Sequence, residues 1–447
     1  MLRVAVVGAG PSGVYTAQAL VGQSAVPGIR VDVLDRLPCP YGLVRYGVAP
    51  DHEKIKSLQG NLRTVLEDER IAFLGDVEVG ARGLTPARLL ELYHAVVYCV
   101  GAARDRRLGV PGEDLDGSFS ATGFVSWYSA HPDAVHQRFG LDRPGAVVIG
   151  AGNVAVDVTR LLLRRAEELR PTDIPQGALT ALAASGVREV HMVARRGPAQ
   201  ARFTTKELRE LGTLPDTRVL VDPAELALDP ACADPSGLPA VNRRNLDVVR
   251  GWAADPGGGA GTRSVRLRFF LRPVEILGAA GRVTAVRFER TEPDGTGGIR
   301  GTGRYEEIPA GLVLRAVGYQ GVPLPGLPFD PVRGTVPHVA GRVLRDGAPS
   351  PGEYVAGWIK RGPTGVIGTN RPCAKETAAS LLADADFLAR RPVVPDPVEA
   401  LRKLGHEPVE WHGWLAIERA EAALGGTLGR GPVKIPDWSG LRGAARR

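Results

Sequence analysis

Cysteine is scarce in this chain: four in 447 residues, at positions 39, 99, 232 and 373, none close to another. With no Cys-x-x-Cys or Cys-x4-Cys pair, the sequence offers no disulfide framework, zinc knuckle, iron–sulfur cluster or active dithiol. No metal site is expected. Long apolar runs are missing as well, and nothing approaches the roughly 20 continuous apolar residues that span a bilayer. Met1-Leu2-Arg3 leads straight into the strand-like Val4-Ala5-Val6-Val7, so no removable signal segment is expected and the cytoplasm is the expected compartment. The basic excess, a net charge of +7 carried mostly by arginine, lacks aromatic-interleaved basic tracts and zinc-finger spacing, so nucleic acid is not the expected partner. It suits an acidic protein or a phosphorylated ligand instead.

What is present is length and repetition. A chain of 447 residues that is 44% hydrophobic buries a substantial core and divides into two or three domains. One pattern occurs twice: an apolar strand, a glycine-rich turn, then a helix whose first turn is small residues. The first copy is Val4–Val7, Gly8-Ala9-Gly10-Pro11-Ser12-Gly13 and a helix through Leu20. The second is Ala146–Ile149, Gly150-Ala151-Gly152-Asn153-Val154-Ala155 and a helix through Arg165. Two further buried strands, within 95–102 and 311–319, read as crossings between domains. The expected fold is α/β, with two doubly wound, Rossmann-like dinucleotide-binding domains, one inserted in the other. The outer domain takes 1–104 and 317–447, the inserted one 105–316. The run 255–261 reads as an exposed loop, and 392–397 as a hinge before a C-terminal helical region.

Each turn has the chemistry of a pyrophosphate site. In the first, Gly8 permits the tight turn, Gly10 lets the backbone approach a phosphate, and Gly13 allows helix and strand to pack closely, with the phosphate on the helix N-terminus. Alone the pattern is weak. Its context strengthens it, because a second strand follows and ends in Asp35, 22 residues after Gly13, where a carboxylate accepts hydrogen bonds from a ribose diol. The second turn is followed by the strand Glu189–Ala194, which ends in Arg195-Arg196-Gly197 where an NAD site presents an acid. A carboxylate there repels a 2′-phosphate, whereas two guanidiniums grip it through charge-assisted hydrogen bonds. NADP is the expected nucleotide at that turn.

Over nearly its full length the chain resembles the adrenodoxin reductase family, which includes actinobacterial-type ferredoxin–NADP reductases. Beyond the two turns, the resemblance is carried by Cys39-Pro40-Tyr41-Gly42-Leu43-Val44-Arg45-Tyr46-Gly47-Val48-Ala49-Pro50-Asp51-His52, by Arg195–Gln200 leading to Phe203–Leu208, and by Gly357-Trp358-Ile359-Lys360-Arg361-Gly362-Pro363-Thr364-Gly365-Val366-Ile367-Gly368-Thr369-Asn370. It implies non-covalent FAD in the outer domain, NADP in the inserted one, and hydride transfer from NADPH to the flavin. Carried over residue by residue, Ser12, Asp35, Leu43 and a backbone group at Val79 hold FAD, while Trp358, Gly365, Val366 and Ile367 reach its ring system. On the NADP side the resemblance points to Arg106, Ala151, Gly152, Asn153, Val154, Arg195, Arg196 and Glu207. Asp35 stands where the family more often has glutamate, and Tyr41 where it often has tryptophan. His52 and Glu210 fall on segments that lie toward the flavin in the family and are the candidates for proton handling. Their plainer roles are capping the helix that begins at Glu53 and pairing with an arginine.

The resemblance further implies a ferredoxin or other small acidic redox protein, or a flavodoxin, as electron acceptor; a monomer is the expected state, on which the sequence itself carries no signal. Basic residues Arg209, Arg243, Arg244 and Arg250 are candidates for docking the acceptor, since 242–250 reads as a helix with Arg243 and Arg250 two turns apart on one face. Two rival readings remain at this level: an NADPH-dependent flavin monooxygenase or oxidase, and a dinucleotide-sensing module without turnover. Substrate hydroxylation would distinguish the first, and flavin that NADPH fails to bleach the second.

Overall fold

A computed structural model describes residues 1–255 and 261–447, so the middle of the 255–261 loop lies outside the described residues. The chain forms two compact units. Met1–Arg104, Ser129–Asp133 and Tyr319–Arg447 make one, and Asp105–Tyr128 with Ala134–Gly318 make the other.

The first unit is built on a seven-stranded sheet in the order His338–Val339, Arg342–Arg345, Ala348–Val355, Ala95–Tyr98, Leu2–Val7, Ile29–Leu34, Ile71–Leu74. Pairing is parallel from Ala348–Val355 to Ile71–Leu74 and antiparallel at the other edge. The strand Leu2–Val7 shows why its residues run apolar without alternation: Val4 and Val6 pack into the core on one face, Ala5 and Val7 into that on the other. A parallel strand covered on both sides needs no polar face. Helix Pro11–Val21 packs against helix Asn370–Ala383 on the first of these faces. The sequence suggests one helix from Asn370 to Leu388. It is broken at Asp384, whose carboxylate accepts Arg342 Nε at 2.7 Å and Tyr354 Oη at 2.6 Å, and a short second helix, Ala385–Leu388, follows.

The C-terminal helices Pro397–Lys403, Trp411–Thr427 and Trp438–Ala445 belong to this unit. Trp411–Thr427 is tied to the Cys39–Gly47 segment by a buried ion pair, Arg45 Nη2 to Glu421 Oε1 at 2.5 Å, both side chains under a tenth exposed. The Arg45 guanidinium lies over the rings of Tyr46 and Trp414, at 5.1 and 5.0 Å. Lys434 Nζ donates to the Arg45 carbonyl at 2.6 Å, and Glu421 also accepts the Ile435 amide at 2.9 Å.

The second unit has a six-stranded, all-parallel sheet in the order Ser118–Ser120, Leu312–Arg315, Gly145–Ile149, Glu189–Val193, Arg263–Arg268, Thr217–Val221. The helix after its glycine turn spans Asn153–Leu163. A three-stranded antiparallel sheet, Leu271–Ala279, Arg282–Pro293 and Ile299–Pro309, packs Ile276, Val286, Phe288 and Ile308 against Val147, Ile149, Val193 and Val313 of the parallel sheet. No local pattern in the sequence anticipates that sheet.

Candidate functional site

In the first unit the three glycines of the N-terminal turn do different work. Gly8 has φ +111°, and a Cβ there would fall 2.5 Å from the Cys99 carbonyl oxygen. A Cβ on Gly13 would fall 1.8 Å from the Gly8 carbonyl oxygen. At Gly10 the nearest atom to an added Cβ is Gly42 Cα at 3.8 Å, so the space in front of it is open. The first intrahelical bond runs from Val14 N to Gly10 O, which leaves the Ser12 and Gly13 amides ahead of it as first-turn donors. Gly10 caps the helix without a side chain, so these donors and the helix dipole are available to an anion. Ser12 Oγ itself is buried, beside Gly357, and has no nitrogen or oxygen partner. The part of Ser12 suited to a phosphate is therefore its amide.

Asp35 closes the strand Ile29–Leu34. Its Oδ2 accepts the Ala9 amide at 2.7 Å and its Oδ1 the Leu37 amide at 2.9 Å. Burial raises its pKa, and the two amides work against that rise. The carboxylate thus braces the glycine turn, and each oxygen keeps a second lone pair for a hydroxyl. The Cys39–Gly47 segment crosses the same turn: Tyr41 N donates to Ala9 O at 2.9 Å, and Gly42 sits so close that a Cβ would stand 2.9 Å from Gly10 Cα. Leu43, next in line, keeps 39% of its surface exposed. Val79 packs its side chain into the core, leaving its backbone as the only part a ligand can read.

The Gly357–Asn370 run comes back to this place. Gly357 has φ +79°, and its missing Cβ makes room for Ser12 Oγ, which would lie 2.4 Å away. Trp358 follows, its Nε1 donating to Thr364 O at 3.2 Å and its ring 5.5 Å from that of Tyr319. Gly365 is exposed with φ +81°, Val366 is 65% exposed, and Ile367 opens a short turn into helix Asn370–Ala383. His52 is buried at the start of the short helix Glu53–Lys56, and its side chain does not cap that helix.

In the second unit Gly150 has φ +149°, with Ala316 O 2.3 Å from where a Cβ would stand, and an added Cβ at Gly152 meets nothing within 4 Å. The turn is clipped to the next segment by Arg202 N donating to Ala151 O at 2.7 Å and Thr204 N to Asn153 Oδ1 at 2.8 Å. Val154 stands in the first turn of that helix, and Ala155 behind it is fully buried. Arg195 is exposed and Arg196 half-buried, just past the strand Glu189–Val193. Among the described residues neither guanidinium has an ion-pair partner. Arg106 is exposed, its amide bonded to Gly318 O at 2.9 Å. Glu207 and Glu210 share helix Thr205–Leu211. Glu207 is buried, whereas Glu210 Oε2 lies 3.5 Å from Nε of the buried Arg160, which also pairs with Asp157 at 3.0 Å.

Among the described residues no group of His, Cys, Asp and Glu is arranged to hold a metal. All four thiols are free, and burial pushes the Cys39 thiol up to about 11 and the Cys99 thiol to about 12, so both stay protonated and inert.

The family model for pyridine nucleotide-disulphide oxidoreductases matches residues 2–212. The NADPH-ferredoxin reductase FprA of Mycobacterium tuberculosis is 47% identical over 453 residues, with 98% of each chain covered. This chain belongs to the NADPH-ferredoxin reductase family. The solved structure of that FprA in complex with NADPH superposes with a TM-score of 0.93 at 43% identity, covering 100% of both chains. A mitochondrial NADPH:adrenodoxin oxidoreductase of Arabidopsis thaliana is 38% identical, covering 99% of this chain and 95% of its own. As a family member the chain is a flavoprotein oxidoreductase with two Rossmann-like units, and its cofactors are FAD and NADP(H). The residues present suit both groups: each glycine turn offers open space beside uncapped amides, and exposed Leu43 and Val366 offer apolar surface to a flat ring. Unlike a disulfide reductase, it has no reactive dithiol through which electrons can leave.

Proposed function

We propose that the chain takes hydride from NADPH onto FAD held by the first unit and passes electrons singly to a small iron–sulfur protein of the ferredoxin type. The first unit, near 1–104 and 317–447, is the FAD domain and the segment near 105–316 the NADP domain. The observation that carries the nucleotide choice is the unpaired Arg195–Arg196 at the strand end that follows the second glycine turn. FAD supplies the change of currency, accepting two electrons together and releasing them one at a time. The protein's own work is positioning. The Ser12 and Gly13 amides and the dipole of helix Pro11–Val21 meet the FAD pyrophosphate, Asp35 its ribose, and Trp358 with Gly365–Ile367 its ring. The turn Ala151–Val154, Arg106 and the arginine pair hold NADPH, and Glu207 borders that site. The enzyme works as a cytoplasmic monomer. No helix among the described residues is long and apolar enough to cross a membrane.

His52 is the candidate for proton handling near the flavin, while Glu210 acts through Arg160 to hold the helix that carries Glu207. His52→Gln is expected to shift the pH profile of anaerobic hydride transfer, and Glu210→Gln to leave it in place. A profile that moves only with Glu210→Gln assigns the roles the other way round.

The acceptor docks as an acidic surface on basic residues of the second unit. Helix Ala240–Ala254 carries exposed Arg243 and Arg244. Arg243 spends donors on the carbonyls of Leu238 at 2.8 Å and Ser236 at 3.4 Å, contacts that leave its charge uncancelled. Arg250 is more committed, bonding the Cys232 carbonyl and lying 3.7 Å from Asp247. Steered docking weakens as salt screens charges beyond about 10 Å at 0.1 M. Ferredoxin-dependent cytochrome c reduction is therefore expected to fall with ionic strength and with Arg243→Glu/Arg244→Glu, while NADPH–ferricyanide reduction holds. If both activities fall together, or neither moves, this surface is not the dock.

A further inference from the structure

The carbonyls of both arginines in the Arg195–Arg196 pair are tethered, and the tethers come from places where the backbone departs from regular structure. Thr291 lies in the strand Arg282–Pro293 just past a register irregularity between Glu289 and Thr291. Its Oγ1 donates to the Arg195 carbonyl at 3.0 Å, and the side chain is 1% exposed. An irregularity of this kind re-aims a side chain that a regular strand would send elsewhere. Phe270 precedes the strand Leu271–Ala279 with φ +57°, a left-handed conformation that a bulky residue adopts only when its surroundings demand it. Its amide donates to the Arg196 carbonyl at 3.3 Å, and its own carbonyl accepts the Thr291 amide at 2.8 Å.

The residues after the pair are held as closely. A Cβ on Gly197 would fall 2.1 Å from Asp229 Oδ2 and 2.7 Å from Phe270 Cζ, so any side chain there would have to displace the Asp229 carboxylate and the Phe270 ring. Asp229 is 2% exposed and takes the Ala199 amide on Oδ2 at 3.2 Å. Asn242 Nδ2 donates to the Ala199 carbonyl at 2.8 Å. From behind, buried Glu225 fixes the turn into Phe270 by accepting the Phe269 amide at 2.7 Å and Arg268 Nε at 2.9 Å.

We propose that Thr291 and Asp229 are positioning residues for nucleotide choice, and that the antiparallel sheet 271–309 preorganises the Arg195–Arg196 pair for the 2′-phosphate. The proposal rests on the reading of that pair as the phosphate grip. A guanidinium leaving a fixed backbone loses little freedom on binding, and one leaving a loose backbone must be ordered by the ligand. That cost falls only on a nucleotide that uses the pair. Thr291→Val keeps the shape of the side chain and removes the bond to the Arg195 carbonyl.

The test compares the flavin-loaded wild type, Thr291→Val, Thr291→Ser, Asp229→Asn and Arg195→Ala/Arg196→Ala. Calorimetric binding of 2′,5′-ADP and of 5′-AMP is measured together with KM and kcat for NADPH and NADH. Thr291→Val is expected to weaken 2′,5′-ADP about fivefold, the usual size of one lost hydrogen bond, and to raise KM for NADPH alike, with 5′-AMP, NADH and kcat unchanged. Thr291→Ser, which keeps the hydroxyl, restores wild-type values. Asp229→Asn gives the same selective loss and carries the test if Thr291→Val does not fold. If the arginine variant loses selectivity while Thr291→Val and Asp229→Asn keep it, or weaken both nucleotides equally, the brace has no part in specificity. If the arginine variant itself stays selective, the reading of the pair has failed instead.

Discussion

Replacing Arg195 and Arg196 together by alanine is expected to lower kcat/KM for NADPH by about 10²- to 10⁴-fold, the equivalent of about 3–6 kcal/mol for two charge-assisted contacts. The same change should leave kcat/KM for NADH within about a factor of three, an ordinary effect for a surface change away from the bound groups. The asymmetry follows from chemistry: NADH has no 2′-phosphate, and neither guanidinium is committed to a carboxylate among the described residues. Steady-state kinetics with both nucleotides measures it. Equal losses with NADPH and NADH would show that the pair reads no phosphate.

Glu421→Ala is expected to destabilise the protein by about 3–5 kcal/mol, the range for stranding one charge of a buried pair. Arg45 would then sit between Tyr46 and Trp414 with its ionic partner gone. In the intact protein burial works against the charged form and the ion pair with Glu421 outweighs it, holding the Arg45 pKa well above its ordinary value. Without Glu421 that support is gone, yet a guanidinium is too basic to shed its proton, so the charge is left stranded. The double variant Arg45→Met/Glu421→Leu should recover part of that loss, since both charges of the pair are removed together, while the Ile435 amide still loses its Glu421 acceptor. Urea unfolding reads both effects. Because Arg45 is two residues from Leu43 on the segment that crosses Gly10, Glu421→Ala should also release FAD more readily. A loss below about 1 kcal/mol, the size expected of an exposed pair, would contradict this account.

How much of this was legible beforehand differs element by element. The strands at Leu2–Val7 and Gly145–Ile149 and the turns after them were plain, because a strand buried on both faces is a continuous apolar run and glycines at these positions answer to local sterics. The helix around Arg243 was visible too, and it extends over Ala240–Ala254. The sheet 271–309 was not visible. Its strands carry arginine and glutamate at many positions, and those charges are satisfied across strands, as in Arg287 with Glu275 and Glu307, by partners that no local pattern reveals. Pro273 further interrupts the alternation, and the pairing shifts register there. Thr291, Phe270 and Asp229 therefore gave no signal, although they hold the arginines that did. Arg45 and Glu421 are 376 residues apart, and nothing near either one names the other. The sequence presents Asp35 as a ribose acid. Its position at the strand end answers to that, yet its most direct bonds hold the glycine turn, a task that a local reading of the carboxylate does not disclose.

The central claim is tested most directly by mixing the purified protein with NADPH, and in parallel with NADH, in an anaerobic stopped-flow instrument, then adding an oxidised ferredoxin. The account predicts a flavin band at about 450 nm that NADPH bleaches rapidly and NADH poorly, and that returns as the ferredoxin is reduced without oxygen. Flavin that NADPH leaves oxidised, or reduced flavin that ferredoxin cannot reoxidise while oxygen can, would contradict it.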